Sequence, residues 1–422
     1  MNNRKLFKNI SFFTLFNVIN SAIPFLLLPI LTTYLNPDDY AIIDIFFNIS
    51  LIATPIVGLS VVQSISRYYF EDVDLPKFVT TVFLLLFGSG IIFILISIFI
   101  TYVAQDFIKS YSFPPFIIIV SICYVLFSQV SEILLILWRV SYKTVQFGVF
   151  RVSKTLLDVG LSVLLIVSFK MGWEGRLIPQ FLVALLFGAF ACFLLYRNGF
   201  LNILRIDKVY RKEALSFSLP LVFHTLGGNL IGFSDRFFIL FMLGLNEVGI
   251  YSVGYQIGMV IALLQNSFNQ AWVPFFFGKL KENKYAENVR IVKISYAYFF
   301  LILFLVLIFY LLTPFIYKYF IGNAFNTGST VVLWILLGYA FNGMYKMVAN
   351  YLFYLKKTKL IAYMTLGSAI LNLILNYFLI QKNGIIGAAQ ATTITFFILF
   401  LGVFILSYMS YKMPWRLNKK TM

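Results

Sequence analysis

Residues 215–258 read LSFSLPLVFHTLGGNLIGFSDRFFILFMLGLNEVGIYSVGYQIG. The run from Leu215 to Leu243 is longer than the roughly 20 helical residues that cross a bilayer. A short break from Gly244 to Val248 separates it from a second apolar run. This stretch therefore predicts two membrane-spanning helices joined by a tight connection.

The composition of the whole chain agrees with this prediction. Of its 422 residues, 61% are hydrophobic and 12% are charged, whereas soluble domains carry about 25% charged residues. A water-soluble globular protein is therefore excluded. One histidine and two cysteines, Cys123 and Cys192 in apolar runs, leave no inventory for a zinc cluster, an iron–sulfur centre or a disulfide scaffold. We expect buried inert thiols, no metal and no cofactor.

Windows of membrane-spanning length predict twelve helices along the chain. The first six are Ile10–Tyr34, Tyr40–Ile65, Phe78–Val103, Pro114–Trp138, Phe147–Phe169 and Leu177–Tyr196. The second six are Leu215–Leu243, Gly249–Phe277, Ile294–Pro314, Ser329–Phe353, Leu360–Ile380 and Ile385–Met409. The expected fold class is an all-α polytopic membrane protein.

The positive charge of the chain follows this division into spans. Most of the 33 lysine and arginine residues fall at the amino terminus, at every second connection and in the tail. Cytoplasmic ends of membrane helices carry such an excess. Both termini are therefore expected in the cytoplasm, and topology with anionic headgroups explains the net charge of +17 without a nucleic-acid partner.

Two halves of the chain resemble each other. LNPDDYAI at residues 35–42 matches LGLNEVGI at 243–250, and GWEG at 172–175 matches GIIG at 384–387. Parallel six-helix halves are typical of transporters whose site lies between them and opens alternately to each side. The expected divisions are two six-helix bundles, a cytoplasmic linker and a cytoplasmic tail, at residues 1–198, 215–411, 199–214 and 412–422 respectively.

Three stretches carry a resemblance to a known family: residues 215–258, NQAWVPFFF at 269–277 and LNLILNYFLIQKNGIIGAAQATTIT at 371–395. The chain resembles the Wzx-type polysaccharide flippases of the multidrug/oligosaccharidyl-lipid/polysaccharide (MOP) exporter superfamily over nearly its whole length. The resemblance implies a MATE-like fold of two bundles around a central cavity, in a bacterial inner membrane. It also implies transport of an undecaprenyl-diphosphate-linked O-antigen or capsule unit, with a polymerase and a chain-length regulator as partners.

Ionisable residues at membrane depth are functional candidates because they are costly unless they face a cavity or a partner. Arg151, Lys154 and Asp158 share one face of the fifth span, with Lys154 expected to pair with Asp158. The face either lines a cavity or places its cations at the headgroups. Glu132 and Arg139 share a face of the fourth span, as a gate or as an ion pair between helices.

The seventh span contains His224, Asp235 and Arg236. Neighbouring residues on a helix lie about 100° apart, so Asp235 and Arg236 are not expected to face each other. Arg236 then meets either an acid of a neighbouring segment, with Asp44 or Asp235 as the obvious partner, or an anionic ligand such as phosphate. His224 is either a hydrogen-bonded packing residue or a proton carrier.

Polar side chains also recur at helical spacing on the eighth and tenth spans. These residues are Ser252, Tyr255, Gln256, Asn266 and Gln270 on the eighth span, and Tyr339, Asn342, Lys346 and Asn350 on the tenth. Such stripes suit sugar hydroxyls, and hydrogen bonds between helices explain them equally well. On the eleventh span, Asn372 and Asn376 predict packing between helices.

These candidates give a transport hypothesis without catalytic residues. Five cations are expected to bind the diphosphate: Arg139, Arg151, Lys154, Arg236 and Lys346. Seven residues are candidates for the polar cavity or for ion coupling: Glu132, Asp158, His224, Asp235, Asn342, Gln256 and Asn266. The alternatives are a cation-coupled multidrug exporter of the same superfamily and a polytopic polymerase or glycosyltransferase, although no external connection offers paired carboxylates and no nucleophile elbow is found.

Overall fold

A computed structural model of the chain describes residue 23 and residues 25–201, 206–282 and 284–416, apart from the side chains of His224 and Leu230. All the regular secondary structure in these ranges is helical. The helices divide into two compact units, Met1–Asn229 and Leu230–Met422. The all-helical fold class expected from the sequence is confirmed.

The first unit contains helices α1 to α8 and the beginning of α9. Their bounds are α1 Phe25–Tyr34, α2 Pro37–Val57, α3 Ser64–Tyr68, α4 Leu75–Val103, α5 Gln105–Lys109, α6 Ile117–Val140, α7 Thr144–Val163, α8 Glu174–Arg197 and α9 Lys208–Met242. A turn of π-helix, Leu164–Ser168, extends α7. The polar face of α7 and the start of α8 provide the first group of candidate residues.

The second unit contains the end of α9 and five further helices. Their bounds are α10 Leu245–Gly258, α11 Val260–Glu282, α12 Tyr285–Phe320, α13 Ser329–Tyr354 and α14 Thr358–Ser410. Within the described ranges, eight helical stretches are long and apolar enough to cross a membrane, and α9 becomes a ninth if it counts as one span. The predicted eighth span is thus built from two helices, α10 and α11.

Helix α14 supplies two of the predicted spans because it folds back on itself. Gly384 has a non-helical backbone, with φ 58° and ψ −139°. Asn372 Nδ2 lies 3.4 Å from Thr395 Oγ1, although the two residues are 23 positions apart. A straight helix would separate them by about 34 Å at 1.5 Å per residue. The break therefore falls between Ile380 and Ile385, where the sequence predicts it.

The predicted second span, Tyr40–Ile65, is not one continuous helix. Helix α2 ends at Val57, and Leu59 and Ser60 have φ values of 47° and 52°. Side chains from neighbouring helices satisfy the carbonyl groups near this end: Gln129 Nε2 donates to Thr54 O at 2.8 Å, and Ser89 Oγ donates to Val57 O at 2.6 Å. These tertiary contacts stabilise an end that hydrophobicity alone does not reveal.

Each unit packs around one central helix. In the first unit α6 contacts α2, α4 and α8, and in the second α13 contacts α10, α11, α12 and α14. Buried aliphatic and aromatic side chains fill both cores. They include Ile65, Phe78, Val82, Leu86, Ile133 and Phe147 in the first unit, and Val348, Leu352, Leu399 and Val403 in the second. These rigid centres position the polar residues described below.

Asp74 caps the N-terminus of α4 and connects it to the start of α9. Its Oδ1 accepts a 3.2 Å hydrogen bond from Lys77 N, and its Oδ2 lies 2.8 Å from Lys77 Nζ. These bonds from Lys77 hold the pKa of the Asp74 carboxyl below its ordinary value. Asp74 N also donates to Tyr210 Oη at 2.9 Å. The beginning of α9 is therefore fixed to the first unit.

Candidate substrate-binding site

The charged face of α7 forms an ion pair with α8, and the predicted Lys154–Asp158 pair is wrong. Asp158 Oδ1 instead accepts a 2.8 Å hydrogen bond from Arg176 Nη1, in the first turn of α8. Arg176 Nη1 also donates to Ser162 Oγ at 2.7 Å. Arg176 Nη1 thus binds two acceptors that lie one turn apart on α7, and Lys154, in the preceding turn, binds neither of them.

Burial makes the Asp158–Arg176 pair important for the first unit. The Arg176 side chain is 9% exposed and that of Asp158 is 18% exposed. Taking a lone charge out of water costs several kcal/mol, so each residue depends on the other for neutralisation. Asp158, a candidate for ion coupling, therefore already has a fixed cation beside it.

Lys154 and Asp158 line a pocket between α6, α7 and α8. Its volume is about 160 Å³, and its lining consists of Tyr124, Lys154, Thr155, Asp158, Gln180 and Val183. Lys154 makes no side-chain hydrogen bond and no ion pair with any residue that the structure describes. Gln180 is 5% exposed, and its Oε1 has no hydrogen-bond partner in the described part of the chain. The pocket thus combines a cation with an unused acceptor.

Arg139, at the end of α6, and Arg151, one turn before Lys154 on α7, form a second cationic group. Arg139 Nη2 is 2.8 Å from Glu132 Oε1, with the two side chains 49% and 38% exposed. The guanidinium carbons of Arg139 and Arg151 lie 5.8 and 5.7 Å from the centre of the Phe147 ring. Glu132 therefore pairs within α6, and the two arginines flank one aromatic ring at the α6–α7 junction.

In the second unit, Asp235 and Arg236 form a buried ion pair, contrary to the expectation that they face apart. Arg236 Nη1 lies 2.8 Å from Asp235 Oδ1, and the side chains are 3% and 0% exposed. The arginine side chain is long enough to turn back toward its neighbour. Tyr251 Oη donates to Asp235 Oδ2, and the Arg236 guanidinium carbon lies 3.7 Å from the centre of the Tyr255 ring.

The Asp235–Arg236 pair and the tyrosine rings around it form an aromatic cluster. Tyr255 Oη donates to Gly232 O at 3.1 Å and lies 2.7 Å from Tyr339 Oη. The cluster thereby connects α9, α10 and α13. A cation held against a ring and a carboxylate is already stabilised, so an anionic ligand would have to displace existing contacts to reach Arg236.

Polar side chains of α11 and α13 form hydrogen bonds with each other. Lys346 Nζ donates to Asn266 Oδ1 at 2.7 Å, and Gln265 Nε2 donates to Asn342 Oδ1 at 3.2 Å. Lys346 and Asn342 are half-buried, and Asn266 is exposed. Hydrogen bonds between helices thus account for part of these stripes, while Asn266 and Lys346 keep an accessible surface.

Three further predictions fall on α9, α10 and α14. The side chain of His224 lies outside those that the structure describes, and Gln256 is half-buried on α10. Asn372 and Asn376 are fully buried, and Asn376 Nδ2 donates to Asn372 Oδ1 at 3.0 Å. Ser234 Oγ also donates to Asn372 Oδ1, at 3.1 Å. This network joins α9 to α14, as predicted for packing between helices.

Four residues that line the first-unit pocket are not among the sequence-based candidates: Tyr124, Thr155, Gln180 and Val183. Arg176, which pairs with Asp158 beside the pocket, is not among them either. The predicted sixth span begins at Leu177 and leaves Arg176 in the preceding connection, whereas α8 begins at Glu174. Arg176 and Gln180 are four residues apart and share one face of that helix. From this spacing, both residues could have been predicted as members of one polar helix face.

Comparison with known proteins gives matches over most of the chain. The profile of a family described as polysaccharide biosynthesis protein matches residues 6–281, and the MatE profile matches residues 220–378. Lsg locus protein 1 of Haemophilus influenzae is 25% identical over 374 residues, which cover 87% of this chain and 89% of that protein. A second membrane protein of the same organism is 25% identical over 381 residues, with the same coverage.

Two solved structures share the fold. The lipid II flippase MurJ in an inward closed conformation aligns with a TM-score of 0.73 and 16% identity, covering 94% of this chain and 87% of that one. An inward-facing multidrug resistance MATE family transporter of the MOP superfamily aligns with a TM-score of 0.60 and 14% identity, covering 92% and 94%. The MATE-like fold expected from the sequence is confirmed.

Proposed function

Because the chain belongs to the polysaccharide biosynthesis protein family, we propose that it is a flippase for a lipid-linked oligosaccharide. In this proposal, an undecaprenyl-diphosphate-linked repeat unit of O-antigen or capsule moves from the inner to the outer leaflet of a bacterial cytoplasmic membrane. Both chain termini lie in the cytoplasm. The product is a substrate for a polysaccharide polymerase that works with a chain-length regulator.

The observation that carries the proposal is the polar pocket within the membrane helices of the first unit. A half-buried cation, Lys154, lies there beside Thr155 and Gln180. Ionisable groups at this depth persist where they face a partner or a water-filled cavity. Charged and amide groups together suit a ligand that carries both negative charge and hydroxyl groups, as a glycan on a diphosphate does.

The residues of this chain bind and guide the substrate and perform no covalent step. Arg139 and Arg151, near the predicted cytoplasmic end of α7, receive the diphosphate, because guanidinium groups bind phosphate oxygens in a forked geometry. The glycan enters the polar cavity while the isoprenoid chain remains in lipid. Moving one elementary charge across 100 mV is worth about 2.3 kcal/mol, so a negative cell interior favours outward passage of the anion.

Export of cationic drugs is the second candidate, because the MatE profile matches residues 220–378. An organic cation needs an available acid within the membrane. Asp158 and Asp235 are both bound to arginines, at 2.8 Å each. Two buried acids that already neutralise fixed cations favour the flippase over the exporter.

The test is deletion of the gene in its native host, followed by analysis of surface glycan and of lipid-linked oligosaccharide. We expect the surface polymer to be lost while lipid-linked repeat units accumulate on the cytoplasmic side. Complementation with Arg151→Gln/Lys154→Gln should fail, whereas Lys170→Gln, an exposed loop residue, should restore the polymer. Normal glycan with increased sensitivity to cationic drugs would contradict the flippase and favour the exporter.

A further inference from the structure

The charges around the first-unit pocket do not balance. Asp158 is neutralised by Arg176 at 2.8 Å, so the pair contributes no net charge. Lys154 lines the same pocket without an ion pair among the residues that the structure describes. Its ammonium group therefore adds one uncompensated positive charge. In a poorly solvated site such a charge is stabilised by an anionic partner.

The neutral groups of the pocket point to more than an anion. Gln180 is almost fully buried, and its Oε1 has no partner within the described ranges. An unused buried acceptor costs about 1–3 kcal/mol, so a ligand that donates a hydrogen bond here is favoured. Thr155 and Tyr124 add hydroxyl groups to the lining. A carboxylate ion alone offers no donor for the Gln180 oxygen and hydrogen phosphate offers one or two hydroxyl groups, whereas a sugar ring offers several in different directions.

The size of the pocket limits the ligand to one ring. Its volume is about 160 Å³, and a protein cavity of about 150 Å³ is known to hold one benzene molecule. The pocket can therefore enclose no more than one six-membered ring, and substituents of a sugar ring must extend through its open side. Lys154 and Thr155 are only half-buried, which leaves an open side from which the rest of a glycan can continue.

Lys154 is also separate from the two arginines assigned to the diphosphate. Arg139 and Arg151 both approach the Phe147 ring, within 5.8 Å. Lys154 lies about 4.5 Å further along α7 than Arg151, at 1.5 Å per residue, and it faces the pocket with Gln180 instead. The two cationic groups can therefore contact neighbouring parts of one substrate.

From these observations we propose that the pocket formed by Tyr124, Lys154, Thr155, Asp158, Gln180 and Val183 binds one sugar ring that carries an anionic group. Lys154 pairs with that group, and Gln180 Oε1 accepts a hydrogen bond from a ring hydroxyl. The anionic group is either a carboxylate on the ring or the phosphate on its anomeric oxygen. The inference rests on the proposed function, since it assigns this ring to the transported glycan.

Binding to the purified full-length protein in detergent tests the inference. Four probes separate the contributions: glucose, glucuronate, glucose 1-phosphate and inorganic phosphate. At least one of the two charged sugars should bind more tightly than glucose by about tenfold or more, because it makes a charge-assisted bond to Lys154. The same sugar should also bind more tightly than inorganic phosphate, because its ring hydroxyls add hydrogen bonds. Preference for glucuronate identifies a carboxylate on the ring, and preference for glucose 1-phosphate identifies the linking phosphate.

Variants assign the two interactions to their residues. Lys154→Gln should remove the advantage of the charged sugar over glucose, and Lys154→Arg should keep most of it. Gln180→Leu should weaken the binding of glucose and of the charged sugar equally, and the binding of inorganic phosphate less. Lys170→Gln, on an exposed loop, should bind as the unmodified protein does. Thermal unfolding of each variant verifies that it is folded.

Three results would overturn the inference: inorganic phosphate binding as tightly as the better-bound charged sugar, an unchanged preference in Lys154→Gln, or no Lys154-dependent binding of either charged sugar. These results differ from failure of the proposed function. Normal surface glycan in the deletion strain would contradict the flippase even if Lys154 binds a charged sugar. Loss of glycan in that strain without Lys154-dependent binding would contradict the pocket alone.

Discussion

Arg176 Nη1 on α8 lies 2.8 Å from Asp158 Oδ1 on α7 and also binds Ser162 Oγ at 2.7 Å. The pair joins two helices that are consecutive along the chain, and its Asp158 member lines the candidate pocket. Its members are largely buried, so neither can lose its partner without leaving an uncompensated charge. The shape of the pocket therefore depends on a residue that does not line it.

Replacing Arg176 with methionine should destabilise the protein strongly. Methionine fills similar space but leaves the Asp158 carboxylate unpaired, and breaking a buried pair from one side costs about 3–5 kcal/mol. The double variant Arg176→Met/Asp158→Leu should recover much of the loss because no lone charge remains. The free energy of unfolding in detergent, measured for both single variants and the double variant, gives the coupling between the residues.

The exposed pair Arg139–Glu132 provides a matched control for this prediction. It has the same 2.8 Å separation, but its side chains are 49% and 38% exposed. Exposed pairs contribute about 0.2–1 kcal/mol, so Arg139→Met should change the unfolding free energy little. If Arg176→Met and Arg139→Met had equal effects, burial would not be the cause of the difference.

The sequence correctly predicted which helices carry charged residues. It predicted the partners in the ion pairs less well. The spacing of Arg151, Lys154 and Asp158 correctly placed them on one helix, because helical periodicity is local. The partner of Asp158 is Arg176, which lies 18 positions further along the chain. This contact depends on how α7 and α8 pack against each other. Asp235 and Arg236 show the other limit, since side-chain length overrode their angular separation on the helix.

Helix positions were predicted in the same partial way. The hairpin at Gly384 was expected because a polar interruption, QKNG, separates two apolar runs. The end of α2 at Val57 was not, because apolar residues continue on both sides of it. That end depends on Gln129 and Ser89, which come from other helices. Hydrophobicity reports membrane depth and carries no information about such contacts.

Tyr251→Phe should weaken the aromatic cluster of the second unit. The change keeps the ring beside Arg236 and removes the hydroxyl that donates to Asp235. A buried hydrogen bond to a charged group contributes about 1.5–3 kcal/mol, so unfolding should become easier by about that amount. Tyr408→Phe is the control, because Tyr408 is 51% exposed. If the two variants had equal free energies of unfolding, the Tyr251 hydroxyl would contribute nothing to stability.

Gly254→Ala should disturb the contact between α10 and α13. A Cβ at residue 254 would lie 2.5 Å from Val331 Cγ2 and would overlap the carbonyl oxygen of Gly328. The backbone of Gly328 cannot yield as a flexible side chain can, and overpacking costs about 1–3 kcal/mol. Thermal unfolding should therefore occur at a lower temperature. Gly278→Ala, where a Cβ meets nothing within 4 Å, should not show this loss.

Gly384→Ala should also destabilise the protein, but through the backbone and not through a clash. A Cβ at residue 384 would meet nothing within 4 Å, while φ is 58° and ψ is −139°. Residues other than glycine avoid this region of φ and ψ, and holding such a residue in it costs about 1–3 kcal/mol. Gly367→Ala, on the first arm of α14 with equal space, should be neutral or stabilising by up to about 1 kcal/mol. Opposite signs for these two variants in the free energy of unfolding would assign the effect to the hairpin conformation, whereas equal losses would show that α14 tolerates no added methyl group.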